Sequence, residues 1–370
     1  MNIREHKFFE GCSVKVAKQA KEAFEAMSVN MDKATKDKSL KRLNAELDVI
    51  MGNGYFFEYY LYTYIIRYAL MCRRLVSVQG LAAYSYVAYL LGISTVNPVE
   101  RDYPMEIMFG YHYDRLPLFI IHTSPSFKHE IIDFLCDGFG KESVYVEEFL
   151  VSLKSKGEED ESSHRMMLSI FENKIISEVE KFIFSKNVDG ISLQDSMRSF
   201  NNDKLSILKP TFPSGPMKDS ELVFKDRIRE LMTYCISSDS YSSDADMVEK
   251  CFDAAWDGTY EGFLDIFAMI YGTGVLEADL HTADNNRLCT RDDFYKYGLN
   301  ILGNEKDSWE FMDKIRKGRG NQPAFQTYLK EQDVPVNIRD GICKIGYLMS
   351  EGSLIPDAQL FLFRSSCVVI

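Results

Sequence analysis

The run Pro117-Leu118-Phe119-Ile120-Ile121-His122 constrains the fold more than any other part of this chain. It is short, apolar and β-branched, lies between a charged loop and Ser124-Pro125, and predicts a buried strand over Leu116 to Thr123. The surrounding pattern is helical. Residues 13–50 place Val14, Ala17, Ala20, Ala23 and Phe24 at helical spacing, with Lys and Glu between them. Lys41 to Met51 repeats the pattern and stops at Gly52-Asn53-Gly54, a C-cap and turn signal. Tyr55 to Arg74 predicts a long aromatic-rich helix with almost no charge before Arg67. Its Tyr and Phe stripe suits base stacking or core packing, and at this density core packing is the stronger reading. Phe127 to Phe139 predicts a further helix, closed at Gly138-Phe139-Gly140.

Breakers divide the rest. Lys154 to His164 reads as a linker or exposed loop, and its four consecutive acids, Glu158 to Glu161, as a solvated face rather than a metal site. Pro210 to Ser220 and the Ser/Asp-rich Ser237 to Asp246 are two more loop zones. Beyond Met247 the pattern is helical to about Leu348, with stops at Gly272-Thr273-Gly274 and Gly318-Arg319-Gly320. No internal repeat stands out.

Composition narrows the function. A 370-residue chain that is 46% hydrophobic, with 21 Tyr and 25 Phe, can bury a sizeable core and is not a disordered chain. Its net charge of −12 argues against DNA as the main partner, because phosphate binding rests on Lys and Arg. Eight cysteines (12, 72, 136, 235, 251, 289, 343 and 367) include no Cys-x-x-Cys pair, so a zinc ribbon is excluded and reduced cytoplasmic thiols are expected. The six histidines (6, 112, 122, 129, 164 and 281) show no metal-ligand spacing. No signal-peptide core opens the chain, and no apolar run reaches the ~18 residues of a spanning helix. Cys367-Val368-Val369-Ile370 matches a prenylation box in form only.

Two blocks of sequence carry a family resemblance. The first runs from Arg42-Leu43-Asn44-Ala45-Glu46-Leu47-Asp48-Val49-Ile50 through Asn53-Gly54-Tyr55 and the segment Val76 to Pro98. It continues over Pro117 to His122 and ends at Gly138-Phe139-Gly140-Lys141-Glu142-Ser143-Val144-Tyr145. The second contains Tyr271-Gly272-Thr273-Gly274, Thr290-Arg291-Asp292-Asp293, Ile315-Arg316-Lys317-Gly318-Arg319-Gly320, Asp333-Val334-Pro335 and Lys344-Ile345-Gly346-Tyr347. Both resemble the palm and fingers of the bacterial DNA polymerase III alpha subunit, closest to its C-type (PolC) branch, and they occur in family order. Between the blocks the match is weak. The family's exonuclease, PHP and C-terminal modules find no counterpart, so the resemblance is to a truncated form.

Against that family the nucleotide site is altered in three places. Polymerase chemistry needs carboxylates holding two Mg²⁺ ions. The family's Pro-Asp-Ile-Asp corresponds to Pro117-Leu118-Phe119-Ile120, so Leu118 and Ile120 stand at both aspartate positions. The third aspartate falls in the poorly matched middle. The family's Gly-Ser-Arg-Gly-Ser loop reads Ser77-Val78-Gln79-Gly80-Leu81, which keeps one glycine of its phosphate cradle. Its basic Pro-Lys-Ala-His segment reads Ser350-Glu351-Gly352-Ser353, which sets a carboxylate where a cation met phosphates. The basic helix end Lys314, Arg316, Lys317 and Arg319 is retained, either as a nucleic-acid contact or as a C-cap complementing the helix dipole.

The resemblance implies an α+β, mostly helical fold. A palm-like part over residues 1–150, with a thumb-like helical portion at 10–75, would precede a divergent connection at 151–245 and a fingers-like region at 246–370. It implies a non-enzymatic pseudo-polymerase, bacterial and cytoplasmic, with no metal or cofactor. Such a protein would bind a protein partner, such as the replication machinery, or regulate replication, for instance on a mobile element. Two alternatives stay open: a non-catalytic nucleic-acid-binding module, and a divergent polymerase using carboxylates such as Asp114 or Asp133.

Overall fold

The computed structural model describes residues 3–154, 166–186, 217–236 and 245–366. The protein is α+β and mostly helical, with a small five-stranded mixed sheet. It divides into two compact units, Met1–Arg198 and Ser199–Ile370.

The first unit opens with α1 (Cys12–Met27), α2 (Lys33–Gly52) and α3 (Phe56–Met71). The single helix expected over 13–50 is therefore two. A 3-10 turn, Ser28–Asn30, interrupts it, and Asp32 starts α2 by accepting the Thr35 N–H at 3.0 Å. Ser, Asn and Asp satisfy helix-end groups better than they extend a helix, which favours a break here. The aromatic stripe of α3 is core: Tyr59, Tyr60 and Tyr62 are buried. Their hydroxyls are used inside, with Tyr59 donating to Ser85 Oγ at 2.9 Å and Tyr62 to the Phe119 carbonyl at 3.1 Å.

Then follow β1 (Val76–Gln79), α4 (Tyr86–Leu90), α5 (Met105–Phe109), β2 (Ile120–Thr123) and α6 (Pro125–Phe139). The hairpin β3 (Val144–Glu147) and β4 (Leu150–Leu153), then β5 (Met166–Glu172) and α7 (Lys174–Lys186), complete this part. Strand order is β1-β2-β5-β4-β3, with β2 and β5 parallel and every other pair antiparallel. A parallel pair needs a long connection, supplied here by α6 and the hairpin. The expected boundary at 150 falls inside this sheet, because β4 begins at Leu150 and β5 joins it to β2.

The strand expected over Leu116 to Thr123 is shorter than predicted and buried on one side only. Leu118 is 52% exposed, Ile120 and His122 are half-buried, and Phe119, Ile121 and Thr123 are buried. Alternate residues of a strand point to opposite faces, and only one face of β2 is fully packed.

The second unit is helical. It comprises α8 (Met217–Ile236), α9 (Ala245–Ala255), α10 (Tyr260–Tyr271), α11 (Val275–Ala278) and α12 (Arg291–Leu302). They are followed by α13 (Glu305–Arg316), α14 (Pro323–Glu331), α15 (Val336–Ile342) and α16 (Glu351–Ser366). Helix therefore continues past Leu348, in a segment that accommodates Pro356. α10 packs on α9 and α16, α8 packs on α9 and α16, and α12 forms a hairpin with α13. Residues 155–165 with the four acids, 210–216, 237–244 and the 367–370 box lie outside the described residues. Among the described residues no helix is long and apolar enough to cross a membrane.

Candidate functional site

The site begins with a buried ion pair that the sequence did not advertise. Glu46 on α2 is fully buried and accepts from Arg42 Nε at 2.5 Å, Ser85 Oγ at 2.8 Å, Tyr86 N–H at 2.9 Å and Val87 N–H at 3.0 Å. Arg42 also donates to the carbonyls of Tyr84 at 2.8 Å and of Tyr103. The pair fixes the turn Gly80–Tyr84 and the start of α4, and its signal was an i,i+4 charge pair on an otherwise packed helix face.

That turn lies directly on the segment leading into β2. Gly80 has φ +84°, and a Cβ there would stand 2.9 Å from the Leu118 carbonyl oxygen, so a glycine is needed for this backbone contact. The Ala82 N–H donates to the same oxygen at 3.3 Å. From the other side Phe119 is held by Tyr62, whose ring stacks on it at 4.5 Å, and by Tyr59, edge-on at 5.1 Å. The backbone around Leu118 and Ile120 is thus fixed by α2, α3 and the Gly80 turn.

Register shows what accompanies the two positions. Ile120 stands opposite Gln79 on β1 and Ser169 on β5, while His122 stands opposite Ser77 and Phe171. Continuing across the sheet on this face are Leu150 and Ser152 on β4, opposite Ser169 and Met167, then Tyr145 on β3 opposite Ser152. Ser77 and Gln79 are buried, Leu81 is half-buried, and Met167 and Tyr145 are 54% and 40% exposed. Phe149, in the hairpin turn, stacks on Phe171 at 4.7 Å. His122 Nδ1 is 3.2 Å from Asn173 Nδ2, and burial pushes its imidazole down to about 4, so the ring is neutral at pH 7. The strand beside β2 therefore brings Ser169, rather than an acid, next to Ile120. Asp114 lies outside the strands before β2, and Asp133 is exposed on α6. His129 is exposed on the same helix. Among the described residues no three of His, Cys, Asp and Glu gather closely enough to hold a metal ion.

In the second unit the segments at 271–274, 290–293 and 344–347 meet at one backbone crossing. Thr273 N–H donates to the Tyr347 carbonyl at 3.0 Å, and Gly346 N–H donates back to Thr273 at 2.8 Å. Gly274 has φ +74°, and a Cβ there would fall 2.0 Å from the Lys344 carbonyl oxygen. Arg291 donates to the Leu348 carbonyl at 2.7 Å and to the Tyr347 hydroxyl at 2.6 Å.

The four cations near residue 316 are distributed locally. Asp313 takes Arg316 Nε at 2.8 Å and Lys317 Nζ at 2.6 Å. Burial alone would raise its carboxyl, yet the Lys317 hydrogen bond and the Arg316 charge outweigh it and hold the group below the usual range. The Lys314 ammonium lies over the rings of Phe325 and Tyr328, at 5.2 and 5.5 Å. Arg319 is exposed, and its N–H closes the helix end by donating to the Lys314 carbonyl at 3.0 Å. Glu351, the carboxylate at the position where the family carries a cation, opens α16. It is 6% exposed at the start of α16, with Lys296 Nζ 3.8 Å from its carboxylate, and a helix N-terminus is a favourable place for an acid. Cys12, Cys235, Cys251 and Cys289 are buried free thiols, while Cys343 is exposed.

The first unit is α+β, a helix-flanked mixed sheet with the Gly80 turn lying against the segment that leads into β2. The model of the bacterial DNA polymerase III alpha NTPase domain family matches residues 14–210, more than half of the chain, and the chain belongs to that family. No curated protein matches it.

Proposed function

We propose that this chain is a catalytically silent relative of the replicase palm, nearest the C-type branch, that serves as a protein-binding scaffold or regulator tied to DNA replication. One observation carries the reading. Leu118 and Ile120, which correspond to the family's metal-binding aspartates, lie on the less covered side of β2, and the register neighbours of Ile120 are Gln79 and Ser169. Two-metal catalysis needs carboxylate oxygens at that place to bind Mg²⁺, activate the primer hydroxyl and neutralise the departing pyrophosphate. Aliphatic side chains provide no such ligand.

The same face supports a protein partner. Leu118, Met167, Tyr145 and Phe149 leave 52%, 54%, 40% and 37% of their surfaces exposed. Exposed apolar residues spread over neighbouring strands are a common mark of protein contact. The net charge of −12 favours such a partner over DNA. The test is extension of a primed template by the purified protein with Mg²⁺ or Mn²⁺. The reading expects no incorporation above a mock preparation, and template-dependent incorporation would contradict it.

A further inference from the structure

The two edges of the five-stranded sheet differ. Strand order places β1 at one edge and β3 at the other. At the first edge Ser77, Val78 and Gln79 are buried. At the second, Val146 is 46% and Tyr145 40% exposed, and Glu147 is exposed as well. The turn between β3 and β4 is the dipeptide Glu148-Phe149, too short to fold back over the strand. β3 reads Val-Tyr-Val-Glu and so carries neither the proline nor the lysine that commonly guards an open edge.

Hydrogen-bond parity shows what this edge offers. The Lys154 N–H donates to the Ser143 carbonyl at 3.0 Å, and in an antiparallel pair hydrogen-bonded positions alternate with open ones. Tyr145 and Glu147 therefore bond inward to Ser152 and Leu150, while Val144 and Val146 turn their N–H and C=O groups outward. The Val144 N–H is taken by the Lys141 carbonyl. Val146 keeps both groups on the open side, where among the described residues no further strand pairs with β3. Tyr145, Glu147 and Lys154 share one face of the sheet, and the Lys154 ammonium lies 4.2 Å from the centre of the Tyr145 ring.

We propose that β3 is a self-pairing edge: a second copy of this chain adds its own β3 antiparallel to it, about a two-fold axis at Val146. Each Val146 N–H then donates to the other copy's Val146 carbonyl, and the two exposed valine side chains cover each other. Glu147 of each copy falls opposite the other's Tyr145, on the face where Lys154 lies over that ring, so two Glu147–Lys154 ion pairs form by symmetry. Charge and hydrogen bonding select this register. Centring the pair on Tyr145 instead would set Glu148 opposite the other copy's Glu142, and would need the Val144 N–H that Lys141 already holds. An unrelated strand would meet the backbone groups equally well, but the doubled Glu147–Lys154 match belongs to this chain. The pairing stands apart from the catalytic reading, since it uses the edge of the sheet and not Leu118 or Ile120.

Sedimentation equilibrium of the full chain, from about 5 to about 500 μM in about 150 mM salt, tests this; the salt screens the long-range repulsion between two chains of net charge −12. So short an edge makes a small interface, and a monomer–dimer equilibrium with Kd on the order of 100 μM is expected. Glu147→Lys should weaken the dimer by roughly tenfold, and adding Lys154→Glu, which exchanges the two charges, should restore it to within about threefold. Val146→Pro, which removes the outward N–H, should abolish it. Should that variant fail to fold, the charge exchange on surface side chains decides alone. A chain that stays monomeric throughout overturns the proposal and leaves the edge to a different partner. So does a dimer that Glu147→Lys leaves unchanged, or one that the exchanged pair fails to restore, since both place the contact elsewhere.

Discussion

In the first unit Arg42, Glu46 and Gly80 bear on backbone: they hold the Gly80–Tyr84 turn against the Leu118 carbonyl. In the second unit Thr273, Gly274 and Arg291 do the same for residues 344–348. The units differ in what surrounds these supports. The first carries a partly covered sheet face, with Leu118 and Ile120 on it. In the second, Glu351 is buried at the start of α16, with Lys296 Nζ 3.8 Å from its carboxylate. In both units these residues shape the main chain, and the two differ in how far their surroundings are covered.

The largest expected effect tests the first support. Glu46→Ala leaves Arg42 unpaired beneath the turn and should cost about 3–5 kcal/mol in urea unfolding. A loss below about 1 kcal/mol would mean that the turn holds without it. Gly274→Ala tests the second support. It forces a Cβ onto the Lys344 oxygen at positive φ and should cost about 3 kcal/mol, with exchange protection lost in α11 and at the 344–347 crossing before α3.

Proton linkage tests the sheet of the first unit. His122, lowered to about 4 by burial, binds fewer protons folded than unfolded. Its contribution is present above about pH 6.5 and is lost as the pH falls toward 4, by about 1–2 kcal/mol after allowing for its partly exposed ring. His122→Phe should remove that acid-side slope in α6 and β2, as read by hydrogen exchange. The smallest effect belongs to the open face. Leu118→Asp should change stability by less than about 0.5 kcal/mol, because the side chain is already half in water. A much larger loss would show that Leu118 packs against something in solution.

Local periodicity made part of this fold legible. The stop of α2 at Gly52, the buried stripe of α3 and the span of α6 up to Gly140 all follow from spacing and caps. The break at Ser28–Asp32 was hidden by a helical pattern that continues on both sides. The short strands β1 and β3 to β5 were not legible, because four- to seven-residue strands owe their state to their partners more than to composition. For the site, resemblance picked out Leu118 and Ile120, but only register shows Ser169 and Gln79 beside Ile120. For Glu351, sequence gives the charge and not the burial. The Arg42–Glu46 pair has only i,i+4 spacing in the sequence, and its burial beneath the Gly80 turn needed the elements packed around it.

The central claim concerns that sheet face, and Mn²⁺ binding tests it most directly. Titration of the full chain with Mn²⁺ and a deoxynucleoside triphosphate, followed by paramagnetic broadening of the Ile120, His122 and Ser169 amides, reports occupancy of the face itself. The account predicts no saturable broadening there in the unsubstituted protein. Saturable, nucleotide-dependent broadening of those three amides at micromolar Mn²⁺ would contradict it.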